Sequence, residues 1–153
     1  MPSRPAPLLA LVVPCYNEEE TLPRTLNALA ELLERCKAEG LIRPESYALY
    51  VDDGSRDRTW QVLEERHRHD PFCRGISFAA NAGHQNAVWA GMDTARQWGA
   101  DCIISLDADL QDDIGVIPEM LARYAEGCDI VYGVRSSRKK DTFFKRFTAE
   151  AFY

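Results

Sequence analysis

The sequence predicts an α/β domain, a mostly parallel central sheet flanked by helices. Three observations carry the prediction. Apolar runs of strand length recur at residues 8–13, 47–51, 75–79, 102–106 and 129–134. Segments of helical period separate them, and such alternation builds βαβ units on a parallel sheet. Polar motifs stand at the ends of the first, second and fourth runs: Pro14-Cys15-Tyr16-Asn17-Glu18, Asp52-Asp53-Gly54-Ser55 and Asp107-Ala108-Asp109. In a parallel sheet these ends share one edge, the edge where open α/β sheets bind ligands.

Taken in order, the run at 8–13 is continuously apolar, as a strand buried on both faces requires, and Pro14 ends it. Asn17 with Glu20 fits a capping box, but a helix start near Thr21 keeps Pro23 in the first turn, where it is tolerated. Leu22, Leu26, Leu29, Leu33 and Cys36 then fall on one helical face, and Gly40 closes the helix. The second strand, 47–51, leads to Asp57, a candidate cap for a helix through about Arg68. The third strand precedes the turn Asn81-Ala82-Gly83-His84. Ala87, Ala90, Gly91, Thr94, Ala95 and Trp98 follow on one face of a small-residue helix able to approach the sheet closely. Gly99 ends it. The fourth strand runs into the acidic loop. Pro118 opens a helix with Leu121 and Tyr124 inward, and Gly127 ends it before a fifth strand at 129–134. The segment 142–153 is amphipathic, with Phe143, Phe144, Phe147 and Phe152 set against Lys145, Arg146 and Glu150.

Composition narrows the class. At 153 residues and 46% apolar content, the chain suffices for one globular domain with a real core. The five Cys include no CxxC pair, which suits reduced core residues in a cytosolic setting. The N-terminal apolar run is too short for a signal peptide, and no stretch approaches the ~18 apolar residues of a spanning helix. The net charge is −6. Residues 135–153 carry six Lys or Arg against two Asp or Glu, so this tail is +4 and the remainder −10. An acidic body argues against general nucleic-acid binding, whereas a basic tail suits phosphate on a ligand or a membrane surface.

The acidic loop is the strongest chemical signal, with four carboxylates (Asp107, Asp109, Asp112, Asp113) within seven residues after a buried strand. Asp107 and Asp109 are two apart and point to the same side of an extended segment. A divalent cation such as magnesium, held by one or two carboxylates plus substrate phosphates, would offset their repulsion. Alone, such a pair also fits a solvated acidic turn. Asp53 is placed to accept hydrogen bonds from a base or ribose, or simply to form an Asp-Gly turn. Tyr16 can pack on a base or be an ordinary half-buried tyrosine. His84 opens a helix, where anions are favoured, or is a surface residue. Arg135 with Arg138, Lys139 and Lys140 forms a cationic cluster suited to a diphosphate, or a solvated basic loop.

The ordered set VPCYNEEE, VDDGSRDRT, NAGHQNA, DADLQDD and YGVRSSRKKDTFFKRFTAEAFY resembles the glycosyltransferase family 2 enzymes that use a polyprenyl phosphate acceptor. These are the dolichyl-phosphate-mannose-synthase-like and undecaprenyl-phosphate sugar transferases. The resemblance covers residues 8–153. It implies a GT-A fold and a metal-dependent, inverting transfer from a UDP- or GDP-linked sugar, with Mg2+ or Mn2+ as cofactor. It implies residues 1–140 as the catalytic domain and 141–153 as the start of a membrane-proximal helix, in a chain cut before membrane spans. Pro14, Tyr16, Glu18, Val51 and Asp53, with Asp107 and Ala108, would line the nucleotide pocket. Asp107, Asp109 and Gln111 would surround the metal. Asp109 or Asp112 would assist the chemistry, and Arg135 and Arg146 would hold phosphates of donor or acceptor. The resemblance also implies work at the cytoplasmic membrane surface, with self-association left open. Two departures stand out. Ala80 replaces an Arg common before the Asn turn, and Asp113-Ile114 replaces prolines common after the Gln-Asp pair. The alternatives are a family 2 transferase with a sugar-hydroxyl acceptor and, more distantly, a non-enzymatic receiver-like signalling domain.

Overall fold

The computed structural model describes residues 4–134. Within them, four strands and four helices alternate: β1 (Leu9–Cys15), α1 (Leu22–Ala38), β2 (Tyr47–Asp52), α2 (Thr59–His67), β3 (Cys73–Ser77), α3 (His84–Gln97), β4 (Cys102–Ser105) and α4 (Ile117–Ala125). The strands form one parallel sheet in the order β3-β2-β1-β4. The chain therefore steps outward from β1 through β2 to β3, and α3 carries it back across to β4 on the other side of β1. That reversal makes the crevice between the carboxyl ends of β1 and β4 a topological switch point.

Every residue of β1 and β2 is buried, as the continuous apolar runs require. The two faces are nevertheless distinct. Leu9, Leu11, Val13 and Cys15 join Ala48 and Tyr50 against α1, Leu63 of α2 and Leu121 of α4. Ala10, Val12, Leu49 and Val51 meet Ala87 and Ala95 of α3. Period-2 alternation thus survives as a choice between two helical layers.

α1 starts after Thr21 with Pro23 in its first turn, and all five residues of the expected face are buried. Gly40, at φ 70°, follows its end. α3 lies close because its face is small. A Cβ at Gly91 would stand 2.4 Å from Val12 Cγ1 and 2.9 Å from Val51 Cγ2. Both neighbours are stiff, buried, β-branched side chains with no room to turn away. Overpacking of this kind costs about 1–3 kcal/mol, against a gain in helix propensity of about 1 kcal/mol. Gly91→Ala is expected to lose up to about 2 kcal/mol, a drop in Tm of up to about 8 °C in a thermal melt.

Three expectations need correcting. Residues 129–134 form no strand. A strand needs a partner, and this run finds none among the described residues. Ile130 is 70% and Tyr132 81% exposed. Trp98, expected inward, lies at the rim, where it and Tyr47 flank the Arg74 guanidinium. Tyr124 is only half-buried, with Arg4 stacked on its ring. Arg138, Lys139, Lys140 and the segment 141–153 lie outside the described residues. Among the described residues no helix is long and apolar enough to cross a membrane.

Candidate functional site

The loops after β1 and β2 are sewn together. Beyond Cys15, whose carbonyl accepts from Asp53 N at 2.8 Å, the chain turns at Asn17, a non-glycine at φ 52°. Asn17 N donates to Ser55 Oγ at 2.9 Å, and Asn17 Oδ1 accepts from Arg56 N at 2.9 Å. Glu18 N donates to Thr59 Oγ1 at 2.8 Å, and Glu19 N to Asp57 Oδ2 at 3.1 Å. Asn17 is thus a cross-loop fastener rather than the cap of α1. Asp57 does serve the start of α2, accepting from Thr59 N at 2.9 Å.

Asp53 is 3% exposed. Its Oδ1 accepts from Ala82 N at 2.7 Å, and its Oδ2 from Gly83 N at 3.0 Å and Asn81 Nδ2 at 3.0 Å. A carboxylate has about four acceptor sites, so about one remains for a ligand. Most of the buried charge is offset by the turn that starts α3, and that turn delivers His84 to the site.

The acidic loop behaves as its spacing requires. Leu106 N donates to Val12 O at 3.0 Å, extending the ladder one residue past β4. Leu106 and Ala108 are buried, whereas Asp107 and Asp109 are exposed. Both carboxylates therefore leave on the open side. Leu110, at φ 56°, reverses the chain, and Asp109 Oδ1 accepts from Gln111 N at 3.0 Å. Asp113 accepts from Gly115 N at 2.9 Å and caps the short 3-10 turn Ile114–Val116 that feeds α4. The His84 Nε2 atom stands 3.8 Å from Asp107 Oδ1.

These elements enclose an open cavity of about 520 Å³ at the switch point, a volume within the range of small-molecule sites. Of the expected residues, Pro14, Tyr16, Glu18, Asp53, Asp107, Ala108 and Asp109 line it. Gln111 and Asp112 follow in the same loop outside the lining. Val51 is not among the described lining residues. It is fully buried and packs toward Gly91 of α3, because its place in β2 points it to that layer. Arg135 and Arg146 lie outside the described residues, and no Lys or Arg is among the described lining residues. Among the described residues no three metal-ligating side chains cluster. The donor set is two carboxylates opening on a polar cavity. That fits a hard divalent cation completed by phosphate oxygens and water better than an all-protein cage.

Cys15 also lines the cavity. Burial pushes its thiol well above the usual range, with Glu18 and Asp52 adding to the effect, and burial lifts the Cys73 thiol to about 12. Neither is a ready nucleophile, since the thiolate is the reactive form. At mildly alkaline pH, iodoacetamide is expected to modify exposed Cys128 and spare Cys15, Cys36 and Cys73 in the folded protein. Peptide mapping reads the outcome. Fast alkylation of Cys15 would put covalent chemistry back in the cavity.

Ser55, Thr59 and Asn81 stand inside the motifs VDDGSRDRT and NAGHQNA, but nothing local gives their side chains a role; Thr25 lies outside every motif, and its signal is a polar residue on the apolar face of α1.

Comparison with known proteins gives the family and the fold. The family model described as Glycosyl transferase family 2 matches residues 10–151. An uncharacterised glycosyltransferase of Bacillus subtilis is 50% identical over 147 residues, 96% of this chain and 43% of that protein. The bactoprenol glucosyl transferase of Shigella phage SfV is 37% identical over 146 residues, 95% of this chain and 44% of that protein. The chain thus spans less than half the length of these curated relatives. Among solved structures, a mannosyltransferase from Pyrobaculum calidifontis in complex with GDP-Man and Mn2+ superposes with a TM-score of 0.59 at 18% identity, covering 81% of this chain and 33% of that one. S. aureus TarS in complex with UDP-GlcNAc gives 0.57 at 22%, covering 77% and 31%. These structures share the fold, which is GT-A.

Proposed function

The chain belongs to glycosyl transferase family 2, and from that premise we propose that it moves a sugar from a nucleoside-diphosphate sugar to a polyprenyl phosphate. The observation that carries the reading is the convergence of Tyr16, Asp53, Asp107 and Asp109 on one cavity at the switch point. The relatives named as bactoprenol glucosyl transferases support the acceptor class.

In this reading Tyr16 packs on the base, and the remaining acceptor site of Asp53 takes one hydrogen bond from base or ribose. Asp107 and Asp109 would hold Mg2+ or Mn2+, and the ion would supply positive charge against that building on the departing diphosphate. The acceptor is a phosphate monoester with a second pKa of about 6, so it is already a nucleophile at neutral pH. The chain then needs no strong general base. Its residues act by positioning donor and acceptor and by excluding other approaches. Attack on the anomeric carbon from the face opposite the diphosphate forms the new C–O bond as the old one breaks, and inverts the centre. Arg135 and Arg146 are proposed to hold phosphates. The basic, Phe-rich segment 142–153 is proposed to meet the cytoplasmic membrane surface, where the lipid acceptor resides.

Calorimetric titration of UDP, then GDP, with and without Mn2+ tests the donor site. Metal-dependent binding of one nucleotide is expected. Binding of neither by folded protein would overturn the reading. Transfer of labelled sugar to a sugar hydroxyl, and not to a polyprenyl phosphate, would overturn the acceptor class.

A further inference from the structure

Thr25 is 1% exposed on the inward face of α1, between Leu22 and Leu29. A buried hydroxyl is costly unless it is hydrogen-bonded. This one donates to the carbonyl of Ala108, 83 residues away in sequence. Thr21 O lies 3.4 Å from the same hydroxyl, but the hydroxyl has a single proton and the Ala108 carbonyl is the nearer acceptor. Ala108 is itself buried and stands between the two carboxylates. Its carbonyl lies in the peptide plane shared with Asp109, so whatever fixes that plane constrains the direction in which Asp109 leaves the chain. The next residue but one, Leu110, holds a left-handed φ of 56°. A non-glycine keeps such a conformation only where its surroundings hold it there.

We propose that Thr25 is a positioning residue for the acidic loop. Its hydroxyl anchors the Ala108 carbonyl to the 17-residue helix α1 and so holds the peptide that aims Asp109 into the cavity. The inference rests on the donor-site reading above. It adds to that site a group that touches neither nucleotide nor ion.

The test is calorimetric titration of UDP, and in parallel GDP, into the 153-residue chain with and without Mn2+. The proteins are the unchanged chain, Thr25→Val, Thr25→Ser and Asp109→Asn. Thr25→Val keeps the shape and removes the donor. It is expected to weaken the metal-dependent binding about 10-fold or more, as loss of a supporting partner of metal ligands does, and to leave metal-free binding unchanged. Thr25→Ser keeps the hydroxyl and is expected to restore the metal dependence. Unchanged binding by Thr25→Val overturns the proposal. So does an equal loss with and without metal, or failure of Thr25→Ser to rescue. Asp109→Asn separates this failure from that of the site itself. If Asp109→Asn binds like the unchanged chain, the acidic loop is not the metal site. If it loses binding while Thr25→Val does not, only the role of Thr25 falls. Should Thr25→Val not fold by circular dichroism, Thr25→Ala takes its place with the same expected and overturning results.

Discussion

Asp109→Asn is expected to lower sugar transfer by roughly 10³-fold while leaving the fold intact. The size follows from the chemistry of the leaving group. Metal stabilisation of a developing diphosphate is worth several kcal/mol, and each ~1.4 kcal/mol is tenfold in rate. Asn keeps the shape of Asp and an oxygen able to accept from Gln111 N, the one hydrogen bond Asp109 gives the loop. What disappears is the charge. With Asp107 alone of the pair, the loop would hold a divalent ion less well. Stability is not expected to fall, because Asp109 is exposed and its removal relieves repulsion from Asp107 when no cation is present. Tm should stay within about 2 °C. The paired measurements are transfer from the labelled donor and a thermal melt with EDTA. Turnover near that of the unchanged protein would remove Asp109 from the metal site.

That loop was legible in the sequence because its logic is local. An apolar strand that runs into carboxylates at i and i+2 dictates which side they face, and buried Leu106 and Ala108 answer them, although β4 itself is only partly buried. The periodicity of α1 was legible for the same reason. What was not legible depends on partners far along the chain. Asn17 looks like a helix cap until Ser55 and Arg56 are beside it. Asp53 looks like a free acceptor until the turn at 81–83 uses most of its lone pairs. The run 129–134 has strand composition, but composition cannot supply a neighbouring strand. Val51 is implied in the pocket by the resemblance, whereas its side-chain direction, toward α3, is set by the pleat of β2.

Gly54→Ala is expected to cost about 3 kcal/mol or more. Two terms add. Gly54 holds a φ of 66°, where an L side chain costs roughly 1–2 kcal/mol. A Cβ there would also stand 2.4 Å from Ala80 C and 2.5 Å from Asn81 N. These are backbone atoms, so no rotamer relieves the contact and the segment itself must shift. That segment leads into the turn that satisfies the Asp53 carboxylate, so any shift strains hydrogen bonds around a buried charge. The loss should therefore reach the site. Tm is expected to fall by roughly 6–12 °C, and nucleotide affinity to drop even below the melting range. Gly40→Ala provides the control. Gly40 has nearly the same φ, 70°, but nothing lies within 4 Å of its added Cβ. Its cost should be the conformational term alone, with nucleotide binding unchanged. The difference between the two variants then isolates the close approach of the Gly54 turn to residues 80 and 81. If both variants lose the same stability, that approach is not what holds the Asp53 turn in place. The start of α3 would then owe its position to the sheet rather than to the buried carboxylate.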